Sequence, residues 1–197
     1  MDPTLMSDFN LSAVANFIFE LAQLREKPRS GWELIKVPEK ESVANHVLRM
    51  TQLAYILAVM EGHPEPEQVA MCALFHENGE TRLPDIHKVA ARYLSEVREE
   101  NVVIDQTAGL GVAGEKILAF WRTAEHRSSA AGIIAKDADY LECAFTAKEY
   151  LEQGHVFAAN WIDNVRAALK TDSAKQLFGQ MLTMTSNDWW QGLKKLS

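Results

Sequence analysis

Apolar residues recur at intervals of three and four along most of this chain, the spacing that places them on one face of an α-helix. The pattern predicts helices at about 8–27, 42–61, 64–77, 115–125, 129–152, 156–170 and 174–184, with shorter helical pieces at 87–94 and within 95–114. The sequence contains no alternation of apolar and polar residues long enough for a sheet strand. We therefore predict an all-α fold.

Serine, proline and glycine residues mark the ends of the first predicted helices. Pro28 is predicted to stop the first helix, and Ser42 to cap the second, because a serine side chain accepts a hydrogen bond from a free backbone N–H group. The segment 27–38 between them is predicted to form a structured loop. Composition alone predicts that Trp32 in this loop covers an edge of the core and that Arg29 is solvated.

Composition and charge narrow the classes of function. The 197 residues are 47% hydrophobic and 24% charged, which is typical of one folded domain. A net charge of -7 without a tract of Lys and Arg argues against binding to a nucleic-acid polymer or an anionic membrane. No apolar run reaches the ~20 residues of a membrane span, and the N-terminus lacks a secretory pattern, so we expect a cytoplasmic protein. Its cysteines, Cys72 and Cys143, are expected to be free buried thiols.

One apolar helical run ends abruptly in a histidine and two carboxylates, His76, Glu77 and Glu80. Residues three or four apart on a helix share a side, so these side chains converge at one end of the element. Two further donors, His46 and Asp139, lie on apolar helical stretches far away in the sequence. Mixed nitrogen and oxygen donors suit a divalent metal, although a lone buried histidine is more commonly a hydrogen-bonded core residue.

Together with their flanking residues, these positions form motifs that resemble those of a known family. The chain is similar from about residue 10 to 170 to the HD-domain superfamily of metal-dependent phosphohydrolases, in particular to the small 5'-deoxynucleotidases. The resemblance is carried, in this order, by Pro28-Arg-Ser-Gly-Trp32, Glu41-Ser-Val-Ala-Asn-His46, Ala73-Leu-Phe-His76-Glu77-Asn-Gly-Glu80, Asp85-Ile-His-Lys88 and Lys136-Asp-Ala-Asp139-Tyr-Leu-Glu142. It implies a single HD domain over 1–197, a helical bundle with a motif-bearing core at about 10–170 and a C-terminal helical tail at 171–197.

The resemblance also implies a site, a substrate and an assembly. One divalent metal is expected, and its implied ligands are His46, His76, Glu77 and Asp139; Asp137 lies off the motif position. Glu80 and Asp85 match catalytic acids, of which Glu80 is the candidate proton acceptor. Trp32 matches an aromatic of the nucleoside pocket, and Arg29 and Lys88 are the nearest motif-linked cations for a nucleotide phosphate. The implied reaction is hydrolysis of deoxynucleoside 5'-monophosphates to nucleoside and phosphate, and a homodimer is expected.

The chain departs from the family pattern at two positions. Glu77 stands where the family has Asp, and Pro84 stands where relatives often have Gly. Two alternative interpretations therefore stay open: a catalytically weakened HD-fold protein that binds a nucleotide or protein partner without turnover, and an all-α protein with incidental core histidines. The donor set fits Mn, Co, Fe, Ni or Zn better than Mg or Ca, without choosing among the first five.

Overall fold

The structure is a computed structural model that describes residues 10–94 and 98–193. Within these residues the chain is helical, and the prediction of an all-α fold is confirmed. The α-helices are α1 (Leu11–Leu21), α2 (Gln23–Glu26), α3 (Val43–Met60), α4 (Pro66–Phe75), α5 (Lys88–Ala91), α6 (Glu99–Thr107), α7 (Gly111–His126), α8 (Ala130–Glu152), α9 (Ala159–Ala168) and α10 (Asp172–Thr183). Short 3-10 helices occupy Ser30–Ile35, Asn78–Thr81 and Val156–Ala158. Ser42 caps α3, as predicted, by accepting a hydrogen bond from Asn45 N.

The single helix predicted at about 8–27 is wrong, because the structure shows two helices. Residues 1–9 lie outside the described part of the chain, and α1 is capped by Asn10, whose side chain accepts two backbone hydrogen bonds of the first turn. The break lies at Ala22, whose N–H bonds to Phe19 O at 3.2 Å, three residues back instead of four. This tighter turn redirects the chain, and Leu24 of α2 packs against Val43 at the start of α3.

Helix α8 is the centre of the fold, and it packs against α3, α4, α7, α9 and α10. Four of its alanines, Ala135, Ala138, Ala144 and Ala147, are fully buried and let neighbouring helices approach closely. A helix covered on several sides has no exposed stripe for its charged residues. Asp139, near the middle of α8, is therefore enclosed by protein and needs compensating partners.

The loop at 27–38 is fixed beside the start of α3 by two antiparallel backbone hydrogen bonds. Arg29 N donates to Glu41 O at 3.0 Å, and Val43 N donates to Lys27 O at 2.9 Å. The loop itself contains the 3-10 helix Ser30–Ile35, which the sequence pattern did not predict. These bonds set the position of the Arg29 backbone relative to the helix that carries His46.

Helix α10 is fixed to α8 by Asp137, a carboxylate that is 1% exposed. Asp137 accepts hydrogen bonds from Lys170 N at 3.1 and 3.0 Å, from Thr171 N at 2.6 Å and from Thr171 Oγ1 at 2.7 Å. Thr171 in turn caps α10, which contributes Phe178 and Met181 to the main core. Asp137 therefore joins the C-terminal segment to the rest of the domain.

Replacing Asp137 by Ala is expected to lower the free energy of unfolding by about 2–4 kcal/mol, because buried donors lose a charged acceptor. Urea unfolding followed by circular dichroism measures this change. Asp163→Ala on α9 is the matched control, since Asp163 is an exposed helical aspartate whose nearest ion-pair partner, Arg166, is 3.7 Å away. Equal unfolding midpoints for the two variants would contradict the structural role of Asp137.

Candidate metal centre

Three elements bring the four predicted metal ligands together. His46 lies on α3, Asp139 lies on α8, and His76 and Glu77 follow the last residue of α4. One donor atom from each residue lies within 4.8 Å of the donor atoms of the other three. His46, His76 and Asp139 are buried and Glu77 is nearly so, hence the packing of the helices fixes their positions.

The distances between the donor atoms fit a shared ion. His46 Nε2 lies 3.2 Å from Asp139 Oδ1, and His76 Nε2 lies 3.1 Å from Glu77 Oε1. Donors that are each ~2.1 Å from one cation stand about 3.0 to 3.4 Å apart at neighbouring positions. Both Nε2 atoms are buried and form no hydrogen bond with any described residue. Two unpaired imidazole nitrogens that face carboxylate oxygens are the arrangement that a divalent cation satisfies.

The other ring nitrogen of each histidine is already engaged. His76 Nδ1 donates to Ala73 O at 2.8 Å, and His46 Nδ1 donates to Glu142 Oε2. Because a carbonyl and a carboxylate oxygen only accept, both histidines carry their hydrogen on Nδ1. Each Nε2 atom therefore faces the cluster and, in the neutral ring, offers its lone pair there, as a metal ligand requires.

Glu77 reaches the cluster in spite of its longer side chain. It lies between α4 and the 3-10 helix Asn78–Thr81, with φ -96° and ψ 12°, so its backbone has already left the helical conformation. Burial opposes its ionisation, but the neighbouring His76 ring and the Arg29 guanidinium outweigh burial and hold the pKa of Glu77 well below its usual range. Glu77 is therefore an anionic donor.

Two partly buried cations compensate the carboxylates of the cluster. Arg29 Nη1 lies 2.8 Å from Glu77 Oε1, and its Nη2 lies 3.9 Å from Asp139 Oδ1. Lys136, one turn before Asp139 on α8, bonds to Asp139 Oδ2. Burial raises the pKa of Asp139, but Lys136 and His46 outweigh this effect and lower it well below its ordinary value. The structure thus places Arg29 against two candidate ligands, whereas composition alone predicted a solvated side chain.

Glu80 lies beside the cluster on the 3-10 helix Asn78–Thr81 and is 6% exposed. Its Oε2 atom is buried and has no hydrogen-bond partner among the described residues. Burial, together with the charges of Glu77 and Asp85, raises the pKa of Glu80 well above its ordinary value. The charge of a nearby divalent cation opposes this shift, so ionisation of Glu80 is coupled to metal binding.

The other three predicted site residues have different surroundings. Asp85 accepts a hydrogen bond from Ser30 N and so holds the 3-10 helix that follows Arg29. Trp32 is 2% exposed, and its Nε1 donates to Glu41 Oε1 at 3.0 Å, so its ring belongs to the core. Lys88 opens α5 and is exposed, and among the described residues no hydrogen bond or ion pair joins it to the four candidate ligands.

A hydrogen-bond network around Glu20 of α1 anchors the segment that carries Glu80. Glu20 Oε1 accepts from Thr81 Oγ1 at 2.7 Å, from Arg82 Nε at 2.8 Å and from Gln106 Nε2 at 2.6 Å. Burial raises the pKa of Glu20, but the hydrogen bonds from Arg82, Gln106 and Thr81 outweigh burial and lower it to about 2. Glu20 thus connects α1, α6 and the 3-10 helix Asn78–Thr81.

Glu20→Gln is expected to reduce the free energy of unfolding at pH 7 by about 1–3 kcal/mol. Because the folded-state pKa of Glu20 lies below the ordinary value of 4.5, its stabilisation is present above that pH and is lost as pH falls towards 2. The difference from wild type should therefore shrink over this range in urea titrations. Glu26→Gln, on the exposed side of α2, is the matched control and should unfold at the same urea concentration as wild type at pH 7. A Glu20→Gln deficit that persists unchanged at pH 2 would refute the assignment.

The sequence predicted no role for four residues of this region, Glu20, Arg49, Lys136 and Glu142, although Lys136 and Glu142 begin and end one of the motifs. Lys136, Asp139 and Glu142 are spaced by three along α8. This spacing places them on one side of the helix, so their proximity could have been predicted. Glu20 and Arg49 meet their partners across 61 or more residues, and no local pattern marks such contacts.

An acidic cavity of about 450 Å³ lies next to the centre. Glu99 of its wall is close to the segment that carries Glu80, because a Cβ added to Gly79 would lie 3.1 Å from Glu99 Cβ. Burial and the charges of Glu77 and Glu125 raise the pKa of Glu99 to about 7. The cavity is lined by Arg98, Glu99, Glu100, Asn101, Trp121 and Glu125.

In this all-helical domain, two histidines and two carboxylates converge beside the buried carboxyl of Glu80. This arrangement is typical of a hydrolytic metal centre. The sequence matches the HD domain family over residues 21–180, so the chain belongs to that family. The family assignment made from the motifs is confirmed. Among the described residues, none of the helices has the length and apolar content needed to cross a membrane.

Similar proteins carry related names. The chain is 30% identical to 5'-deoxynucleotidase HDDC2 of Bos taurus over 148 residues, which is 74% of this chain and 71% of that protein. The solved structure of genomics APC5600 has a TM-score of 0.75 at 32% identity and covers 91% of this chain and 99% of that chain. A predicted metal-dependent phosphohydrolase from Magnetospirillum magnetotacticum, 18% identical over 88% of this chain and 93% of that chain, shares the fold with a TM-score of 0.64. These similarities support the predicted class, a metal-dependent phosphoric monoester hydrolase.

Proposed function

We propose that this protein is a 5'-deoxynucleotidase that hydrolyses deoxynucleoside 5'-monophosphates to nucleoside and phosphate. The observation that carries the proposal is the pair of Nε2 atoms of His46 and His76, which face two carboxylates beside Glu80 Oε2; none of these three atoms has a hydrogen-bond partner within residues 10–94 and 98–193. The similarity to 5'-deoxynucleotidase HDDC2 supports the substrate class.

The metal ligands and Glu80 have different roles in the proposed reaction. His46, His76, Glu77 and Asp139 would hold a divalent cation, which would supply a Lewis acid for a phosphoryl oxygen and lower the pKa of a water. Glu80 Oε2 accepts the proton of the water that attacks phosphorus, while the bond between phosphorus and the 5' oxygen breaks. The departing 5' oxygen takes up a proton from bulk water to become the nucleoside hydroxyl, and Glu80 returns its proton to bulk water.

Two further residues prepare the site for the phosphate. The guanidinium of Arg29, held beside Glu77, donates hydrogen bonds to phosphoryl oxygens as negative charge develops on them. Asp85 is a positioning residue, because it holds the 3-10 helix next to Arg29 through Ser30 N. The substrate contact of Lys88 stays a prediction from the resemblance.

The charges around the site orient the substrate. Glu99, Glu100 and Glu125 line the cavity together with Arg98, whereas the metal ligands and the Arg29 guanidinium concentrate positive charge at the centre once a cation is bound, and this positive charge attracts a phosphate group. We place the phosphate at the metal ligands and Arg29, and the nucleoside towards the cavity. Trp32 contributes from the core by supporting the loop that carries Arg29, since its ring packs 5.1 Å from that of Trp161.

The alternative function is binding of a nucleotide or partner without turnover. It is favoured by Glu77, which stands where the family has Asp, and by Arg29, which already pairs with Glu77 at 2.8 Å. If Glu77 is a working ligand, wild type should release phosphate and Glu77→Asp should change the rate modestly. If Glu77 disables the site, wild type should be inert and Glu77→Asp should restore metal and turnover, because a misplacement of about 1 Å costs about 10²-fold in rate.

We also propose a homodimer in the cytoplasm, which rests on the resemblance and on composition. The apolar residue Phe157, between α8 and α9, is 74% exposed, and its neighbour Val156 is exposed as well. Such a surface is commonly covered by a partner. Light scattering at micromolar concentration should give about twice the chain mass of 22.1 kDa, and a value near 22.1 kDa would exclude the dimer.

A phosphate-release screen tests the proposed activity. Metal-loaded protein is supplied with deoxynucleoside and ribonucleoside 5'-monophosphates, in the presence of Mn, Co, Fe, Ni or Zn in turn. Release from deoxynucleoside monophosphates with at least one metal is expected, and chelation should abolish it. Full metal occupancy with no turnover of any phosphomonoester would refute the nucleotidase and leave the binding protein.

A further inference from the structure

We propose that Glu142 is a positioning residue that fixes which ring nitrogen of His46 faces the metal centre, and that Arg49 locks Glu142 in this role. The inference rests on the metal centre of the proposed function and assigns two residues beyond its ligands. It concerns the orientation of a ligand and not the chemical step.

The contact between His46 and Glu142 joins α3 to α8 in the core. His46 Nδ1 donates to Glu142 Oε2, and the side chains of both residues are 0% exposed. The opposite nitrogen, His46 Nε2, lies 3.2 Å from Asp139 Oδ1 and 3.9 Å from Glu77 Oε1. As long as Oε2 accepts the Nδ1 hydrogen, the Nε2 lone pair stays directed to the cluster.

The second carboxylate oxygen of Glu142 is held from the other side. Arg49 Nε donates to Glu142 Oε1 at 2.8 Å, and Thr146 Oγ1 donates to the same atom at 3.1 Å. Arg49 Nη1 also reaches Glu149 Oε1 at 2.6 Å, so the guanidinium spans two carboxylates that lie about two helical turns apart on α8. Glu142 is therefore fixed at both oxygens and has no free rotation about its terminal bond.

His46 and Glu142, together with Glu41, do not form a second metal site. One donor atom each from Glu41, His46 and Glu142 also lies within 4.8 Å of the others. However, the hydrogen on His46 Nδ1 occupies the lone pair that a metal would need there. The cation Arg49 already neutralises Glu142 on this side. This cluster therefore serves the orientation of His46.

The replacement Glu142→Gln tests whether Glu142 determines which nitrogen of His46 carries the hydrogen. An amide has one accepting oxygen and one donating nitrogen, whereas Arg49 only donates. Arg49 keeps the amide oxygen on its side, so the NH₂ group faces His46 Nδ1, which must then accept. The hydrogen of a neutral His46 ring moves to Nε2 and blocks the position that the metal needs. Loss of such outer-shell partners typically weakens metal binding about 10–100-fold.

The experiment uses Zn²⁺, a diamagnetic probe, and the full chain. Zn²⁺ affinity is measured by competition with a chromophoric chelator, and the ring nitrogens of His46 are observed by ¹H–¹⁵N NMR of the Zn²⁺-loaded protein. Wild type should show hydrogen on Nδ1 and Zn²⁺ on Nε2, and Glu142→Gln should bind Zn²⁺ about 10–100-fold more weakly. Glu149→Gln is the matched control, because it removes the charge of the other carboxylate bound by Arg49 without touching His46, and it should bind within about twofold of wild type.

Two outcomes overturn the proposal: Glu142→Gln with wild-type Zn²⁺ affinity and an unchanged His46 spectrum, or Zn²⁺ on Nδ1 of His46 in wild type. If Glu142→Gln does not fold, the wild-type spectrum decides alone. Arg49→Met combined with Glu142→Gln frees the amide to turn, so this double variant should recover affinity, and failure to recover contradicts the lock. None of these readouts uses a nucleotide, so an absence of phosphatase activity would count against the proposed function and leave this test intact.

Discussion

Glu80→Gln is expected to lower kcat for deoxynucleoside monophosphates by about 10²- to 10⁴-fold while the protein keeps its metal. Glutamine has nearly the same shape but cannot accept a proton at the position of Oε2, which is buried and lacks a hydrogen-bond partner among the described residues. Steady-state phosphate release and metal analysis of the same sample measure the two quantities. KM should change much less than kcat.

Glu115→Gln on α7 is the control for this variant, because Glu115 is exposed. It should behave as wild type in both assays. If Glu80→Gln lost the metal together with activity, Glu80 would be a ligand, and its assignment as proton acceptor would be wrong.

His76→Ala is expected to give the second large effect, a loss of stoichiometric metal and with it a fall in kcat/KM of more than about 10³-fold. His76 Nε2 lies 3.1 Å from Glu77 Oε1 and has no hydrogen-bond partner in the part of the chain that the structure describes. Removing it leaves one nitrogen donor and two carboxylates, with Arg29 still paired to Glu77. Metal analysis by mass spectrometry and phosphate release measure the change.

His126→Ala is the matched control, since His126 is an exposed histidine at the end of α7. It should retain one metal per chain and wild-type turnover. A His76→Ala protein that retained one tightly bound metal would place the ion elsewhere.

The helical fold could be predicted because apolar periodicity reports directly on which side of each helix is buried. The Ser42 cap and the long helix that ends near Glu152 follow the same local rules. The break at Ala22 could not be predicted, because the sequence around it is helical in character and the turn depends on packing of Leu24 against α3. Boundaries that tertiary contacts decide are not visible in local sequence.

The candidate site, like the fold, could be predicted only in part. The positions of His46, His76, Glu77 and Asp139 were readable because they belong to motifs, and the structure places their donor atoms together. The partners of those residues were not readable. The hydrogen bond between His46 and Glu142 joins residues 96 positions apart. Its effect on the orientation of His46 depends on which carboxylate oxygen faces which ring nitrogen.

Packing also changed the surroundings of two predicted substrate residues, Trp32 and Arg29. Trp32 is buried in the core, and Arg29 pairs with Glu77 inside the cluster. Both positions follow from the way the loop at 27–38 is bonded to the start of α3, through Arg29 N and Glu41 O. A motif identifies such residues, but only the fold shows which group each one touches.

The most direct measurement is a metal titration of turnover. Protein stripped with a chelator is supplied with increasing amounts of the metal that gives the highest rate, and phosphate release from a deoxynucleoside monophosphate is followed at each step. We predict no activity without metal, a linear rise, and a plateau at one ion per chain, because the four donors of His46, His76, Glu77 and Asp139 form one cluster. Turnover that survives complete removal of metal, or a plateau reached only at two ions per chain, would contradict a single catalytic metal held by these four residues.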